Sequence, residues 1–215
     1  MDNASFSPAL IRRTQAGAPT ALKYSRTAID YATPAESSEQ EATHHQLEAD
    51  VGTLAHRYVE LIAQSGLDGW DHHRIAALSP AMVRWLQQCG HQDNTARQGA
   101  ARVIAALSTT MNSEAGRWVL TARPQAESEL ILMAANNKCI GTHIIDRTFI
   151  DTGTRWIIDY KSTDLGSNPA LDALIEEARQ YRPQLERYAG LFISEGLPVR
   201  KAIFFLAHGK LVTLD

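Results

Sequence analysis

The sequence predicts an α/β domain: a mixed central β-sheet flanked by helices, with a helical N-terminal part. Three observations predict it. From residue 47 to residue 107 apolar residues recur at three- and four-residue steps. Between 117 and 161 they fall instead into short alternating or continuous runs separated by turn residues. After 161 comes a further helical stretch, then the continuous run Ala202-Ile203-Phe204-Phe205-Leu206. Helices, a strand meander, a helix and another strand, in that order, make a sheet covered by helices.

Taken in order, residues 1–46 read as a flexible or loosely ordered lead-in. Pro19, Pro34 and the run Glu36-Ser37-Ser38-Glu39-Gln40-Glu41 punctuate a polar stretch without an apolar face. His44-His45 closes it and reads as a solvated pair, since no further ligand stands at metal spacing. Residues 47–215 read as one domain. Leu47, Val51, Leu54, Ala55, Tyr58, Val59 and Ile62 mark the first helix, with Gly66 as its stop. A polar connection is expected over 68–75, then helices over 79–89 (Met82, Val83, Leu86) and 94–110 (Ala96, Ala100, Val103, Ile104, Leu107). Strands are expected at 117–121, 127–134, 139–150 and 154–161, consecutive and mainly antiparallel, punctuated by Pro124, Asn136-Asn137 and Gly153. A helix follows over 171–195 and stops at Gly196-Leu197-Pro198; Pro183 inside it implies a kink or two separate helices. Residues 199–206 read as a buried strand and 211–214 as a short final one.

A chain of 215 residues is long enough to bury a core without disulfide or metal staples. Its 44% hydrophobic and 21% charged residues are ordinary for a globular protein. No apolar run approaches the ~18 residues of a membrane span, and the N-terminus lacks the basic-then-apolar order of a secretory signal. Cys89 and Cys139 are far apart and form no CxxC, so two reduced, buried thiols of a cytoplasmic protein are expected. The net charge of −3 argues against a nucleic-acid binder that relies on a basic excess. Any such binding has to come from a site or from a partner.

The chemistry concentrates in Ile144-Ile145-Asp146-Arg147 and, after a turn, Trp156-Ile157-Ile158-Asp159-Tyr160-Lys161. Alternate residues of a strand face the same way, so Asp159 and Lys161 share a face while Ile158 and Tyr160 point to the core. Asp146 ends a comparable apolar run on the preceding strand, and a hairpin near 151–154 is compatible with the two carboxylates converging. Charges at the ends of apolar strands are costly unless paired or metal-bound. A hard divalent cation resolves the repulsion of two carboxylates, and oxygen ligands suit Mg²⁺ or Mn²⁺ better than zinc. A lysine beside such an ion can orient or deprotonate a water and offset charge developing on phosphate. Taken alone, D-x-K is equally an Asp–Lys ion pair at a strand end. Two further segments stand beside it. Gly52-Thr53-Leu54-Ala55-His56-Arg57-Tyr58-Val59-Glu60 puts His56 and Glu60 one helical turn apart. Gln184-Leu185-Glu186-Arg187-Tyr188 repeats that spacing for a glutamine and a tyrosine able to hydrogen-bond DNA or the lysine.

The ordered set G-T-x-x-H-x-x-x-E, I-D-R, W-I-I-D-Y-K-S and Q-x-x-x-Y resembles the RecB/AddA-type nuclease domain of the PD-(D/E)xK superfamily, as at the C-terminus of UvrD-like helicase–nucleases. It runs from Gly52 to Tyr188, with 154–164 its most specific part. The resemblance implies a restriction-endonuclease-like core and a Mg²⁺-dependent, exonuclease-like DNA nuclease of repair or recombination, with Mn²⁺ able to substitute. It implies that His56, Asp146 and Asp159 hold the metal together with the Tyr160 carbonyl, that Lys161 is catalytic, and that Gln184 and Tyr188 stand beside it. It also implies an acidic residue on the strand before Asp146, which Glu129 fits best and Glu127 second. The substrate implied is DNA, single-stranded by family analogy. No G-x-x-x-x-G-K-[ST] loop occurs in this chain, so it encodes no helicase motor and reads either as a fragment of a larger protein or as a stand-alone nuclease. The near-neutral charge favours a domain that receives DNA from a helicase motor in the same polypeptide or complex. Two rivals remain: a non-catalytic DNA-binding or scaffold module with the same fold, and a metal enzyme acting on another phosphate ester.

Overall fold

The computed structural model describes residues 37–123, 125–136 and 139–214. Five helices come first: α1 (Ser37–Ser65), α2 (His72–Ala77), α3 (Ser79–Gln88), α4 (Asp93–Asn112) and α5 (Glu114–Leu120). Three strands follow, β1 (Glu127–Asn136), β2 (Cys139–Asp151) and β3 (Thr154–Lys161), paired as an antiparallel meander. Then come α6 (Leu171–Arg179) and α7 (Arg182–Gly190), β4 (Val199–Phe205) parallel to β3, and β5 (Lys210–Thr213) antiparallel to β4. A parallel pair needs a long crossover, and α6 and α7 supply it. The sheet is thus mixed, in the order β1-β2-β3-β4-β5.

Side-chain alternation along the central strands separates two helical layers. Phe149, Ile158, Tyr160, Ala202 and Phe204 pack with the buried residues of α1–α5. Their neighbours Ile157, Ile203 and Phe205 pack with Leu174, Ala178, Leu185 and Tyr188 of α6 and α7. Continuous apolar runs such as Ile203-Phe204-Phe205 are what a strand covered on both faces requires.

Several expectations are corrected. Residues 117–120 end a helix, with Thr121 as its C-terminal cap, rather than forming a strand. The run Arg117-Trp118-Val119-Leu120 has strand-like composition, but the Gly116 backbone N–H donates to Ser113 Oγ at 2.9 Å, which caps α5. Gly116 also lets α5 turn tightly off α4, since a Cβ there would run into the Thr110 carbonyl oxygen. The 68–75 connection contains the start of α2, capped by Asp71, whose carboxylate accepts from the Arg74 N–H at 2.7 Å; Trp70 and Ile75 beside it are buried. Of the two outcomes that Pro183 allowed for 171–195, the structure takes two separate helices, with Pro183 in the first turn of α7, where its missing N–H costs nothing. A 3-10 turn, Ile193–Glu195, follows. α1 begins at Ser37, inside the segment expected to be loose. Cys89 is exposed rather than buried, at the C-terminal cap of α3. The remaining lead-in (1–36), Pro124, Asn137 and the side chains of His44 and Cys139 lie outside the described residues. Among the described residues no helix is long and apolar enough to cross a membrane.

Candidate functional site

The site is built where β2 and β3 part. Their ladder runs from Asp151↔Thr154 to Arg147↔Ile158 and ends there. One step further, Asp146 would face Asp159. On the other side of β2, the pairs Ser128↔Arg147 and Leu130↔Ile145 flank a gap that leaves Glu129 opposite Asp146. Glu129 has φ 48°, a left-handed conformation rare outside glycine. Three acidic residues on three adjacent strands therefore fall on one row, at the point where both ladders are interrupted. The N–H of Tyr160, released from β2 by the fork, donates to Asp146 Oδ2 at 2.7 Å.

Asp159 is buried, its side chain 7% exposed. Gln184 Nε2 on α7 donates to its Oδ1 at 3.2 Å and to the Tyr188 hydroxyl at 2.9 Å. Lys161 Nζ lies 2.7 Å from Asp159 Oδ2. Apart from this ion pair the buried Oδ2 has no partner among the described residues, which leaves it a lone pair to offer. Burial works against the Lys161 ammonium, but the charge of Asp159 holds its pKa above the ordinary value. A second contact on Lys161 was not anticipated from sequence: its ammonium sits 4.1 Å from the centre of the Tyr181 ring. The legible signal was position alone, three residues before Gln184 at the break that Pro183 makes.

α1 completes the site from the opposite layer. A Cβ at Gly52 would lie 2.9 Å from Ser162 Oγ, so the glycine lets α1 approach the chain just past Lys161. One turn on, His56 Nδ1 lies 3.7 Å from Asp146 Oδ2, and its ring meets the Tyr160 ring edge-on at 5.7 Å between centres. Burial lowers the His56 pKa, Asp159 opposing it, so the imidazole is neutral near pH 7 and able to act as a ligand. Glu60, another turn along, meets Glu129: burial first and the Glu129 charge second push its carboxyl up to about 6. Gln64 Nε2 also donates to Glu60 Oε1. Glu127, the second acidic choice on β1, pairs with Thr148 away from the gap. Nearby, a cavity of about 330 Å³ is lined by Ala55, Ser162, Asn168, His208 and Arg102. The Arg102 guanidinium is already bound to Glu48 through two contacts of 2.6 Å.

The electrostatics leave a deficit of positive charge. Burial, and then the Asp159 charge, push the Asp146 carboxyl up to about 7, against the Tyr160 N–H and Lys161, which favour ionisation. Asp146 and the unused Asp159 lone pair therefore suit a divalent cation. Among the described residues no group of three or more His, Cys, Asp or Glu side chains gathers closely enough to cage a metal. A donor set of two carboxylates, one imidazole and a backbone carbonyl fits an ion that keeps several of its waters, as magnesium does, better than a closed zinc site. Compared with known proteins, the chain matches no protein-family model and no curated protein.

Proposed function

We propose that this chain is a Mg²⁺-dependent deoxyribonuclease with a restriction-endonuclease-like core, of the RecB/AddA type. The observation that carries this reading is the fork of β2 and β3. It brings Asp146 beside the Tyr160 peptide, His56 beside Asp146, and Lys161 beside Asp159. Asp146 and Asp159 would hold the ion, with His56 and the Tyr160 carbonyl as the remaining protein ligands; Mn²⁺ would substitute. When bound, magnesium supplies Lewis-acid activation of the phosphodiester and of the attacking water. Lys161, a donor only, helps orient that water and offsets charge developing on the phosphate oxygens. Gln184 orients Asp159, and Tyr188 in turn holds Gln184.

The net charge of −3 offers little attraction for a phosphate backbone. That supports DNA handed to the site by a helicase motor in the same polypeptide or complex. Single-stranded DNA and exonuclease-like cleavage in repair or recombination follow from the family analogy. The test is degradation of labelled single- and double-stranded DNA with Mg²⁺, Mn²⁺ or EDTA. Cleavage with either ion and none with EDTA is expected. Retained DNA binding without cleavage under every ion condition would instead favour a non-catalytic scaffold.

A further inference from the structure

We propose that Tyr181 is a positioning residue for Lys161: its ring keeps the ammonium in the site when Asp159 turns its charge to a divalent cation. The inference rests on the nuclease reading above and deepens it. Lys161 has two anchors, the Asp159 carboxylate at 2.7 Å and the Tyr181 ring face at 4.1 Å. Both are within ordinary range for an ion pair and a cation–π contact. A divalent cation held at Asp146 and Asp159 would weaken the first anchor, because the carboxylate would then share its charge with a doubly charged ion. It does nothing to the second. A lysine side chain has many rotamers of similar energy, so an ammonium that loses its only fixed partner spreads over many positions. The ring limits that spread.

The ring is itself fixed from both ends. Tyr181 is the N-terminal cap of α7, and its carbonyl accepts from the N–H groups of Gln184 and Leu185 at 3.1 Å each. Its hydroxyl donates to Glu177 Oε1 of α6 at 3.3 Å. The residue that holds Lys161 and the residue that holds Asp159 are thus one helical turn apart, on a helix whose start is set by Pro183. One turn of α7 clamps both members of the D-x-K pair.

Tyr181 also packs against the apolar cluster under α6 and α7, so the test has to separate ring electronics from packing. Three full-length variants do so: Tyr181→Phe keeps the ring face, Tyr181→Leu keeps apolar bulk, and pentafluorophenylalanine at 181 keeps the shape with an electron-poor face. Expected under single turnover with Mg²⁺ is a cleavage rate within twofold of wild type for Phe. A loss of roughly tenfold is expected for Leu and for the fluorinated ring, the size of a desolvated cation–π contact, with half-saturating DNA unchanged. A second readout needs no cleavage. The chain has five lysines, Lys23, Lys138, Lys161, Lys201 and Lys210, so their side-chain resonances can be assigned in lysine-labelled protein. The Lys161 Hε protons should show an upfield ring-current shift that survives Mg²⁺ addition and is lost in Tyr181→Leu. A cleaving enzyme whose Leu or fluorinated variant matches wild type overturns the Tyr181 role alone, as does a ring-current shift that vanishes with Mg²⁺. A wild-type chain that cleaves no DNA overturns the nuclease reading itself, and the role with it.

Discussion

The paired and the forked parts of the β2–β3 ribbon both bury charge, and they treat it in opposite ways. In the paired part, Arg155 is 4% exposed yet donates to both Glu195 oxygens at 2.8 and 2.7 Å and lies over the Phe192 ring. Arg147, also buried, donates to the carbonyls of Val119 and Thr121 and to Ser128 Oγ, at 3.0–3.2 Å. Each guanidinium has several partners, and the two help tie the ribbon to its flanking elements. Beside them, Asp146 feels the charge of Asp159, and one ammonium, on Lys161, lies against Asp159, whose buried Oδ2 has no other partner among the described residues. Buried charge that is fully partnered specifies structure, and buried charge left short of a counter-ion is a request for one.

Five variants sharpen that contrast. Asp159→Ala has the largest expected effect, loss of divalent-ion binding and of DNA cleavage together, measured by calorimetry and single-turnover assay. Lys161→Ala should slow cleavage by roughly 10²–10⁴-fold while Mn²⁺ binding persists or tightens, because the residue leaving is a cation and not a ligand. Cleavage at the wild-type rate would reduce the D-Y-K segment to a strand-end ion pair. In the paired part, Glu195→Ala leaves Arg155 without its carboxylate. A loss of about 2 kcal/mol is expected, less than for a fully enclosed pair because Glu195 is partly exposed. Denaturant melts should read it, with the chemical step unaltered in the folded fraction. His56→Ala should weaken Mn²⁺ affinity ~10-fold, as loss of one ligand or its close support does. Unchanged affinity would return the imidazole to a packing role.

The smallest effect expected is on stability, and its sign is specific. The Asp146 carboxyl titrates at about 7 in the fold, above the ordinary 3.8. The folded state therefore holds the proton more tightly than the unfolded chain does. Its contribution to stability is fully present below about pH 4 and is lost as pH rises through 7. Asp146→Asn should raise the Tm measured in EDTA at pH 8 while changing it little at pH 4. In wild type, Mg²⁺ should raise Tm more at pH 8 than at pH 5.

Much of the architecture was legible because it is written in local periodicity. The steps from Leu47 to Ile62 and the alternation of Ile157, Ile158, Asp159, Tyr160 and Lys161 anticipate which side chains share a face. Gln184 and Tyr188, four apart on a helix, do meet. The misreadings have tertiary or capping causes. Trp118-Val119-Leu120 has strand composition but packs as a helix, with Trp118 against Phe149 and Trp156. Tyr181 was passed over because a ring three residues from a motif carries no signal until the lysine it faces is placed.

What the sequence determined by itself was the set of elements and the chemistry on each: the carboxylates, the lysine, the helix-borne histidine and the glutamine. Which of them meet was decided only in the folded molecule. Asp146 and Asp159 converge because the β2–β3 ladder stops at Arg147↔Ile158, and Glu129 joins their row because its backbone turns left-handed there. Both depend on strand pairing between residues that the turns of the meander bring together. A pattern of period two names the faces of a strand, but where a ladder ends is set by what packs against it.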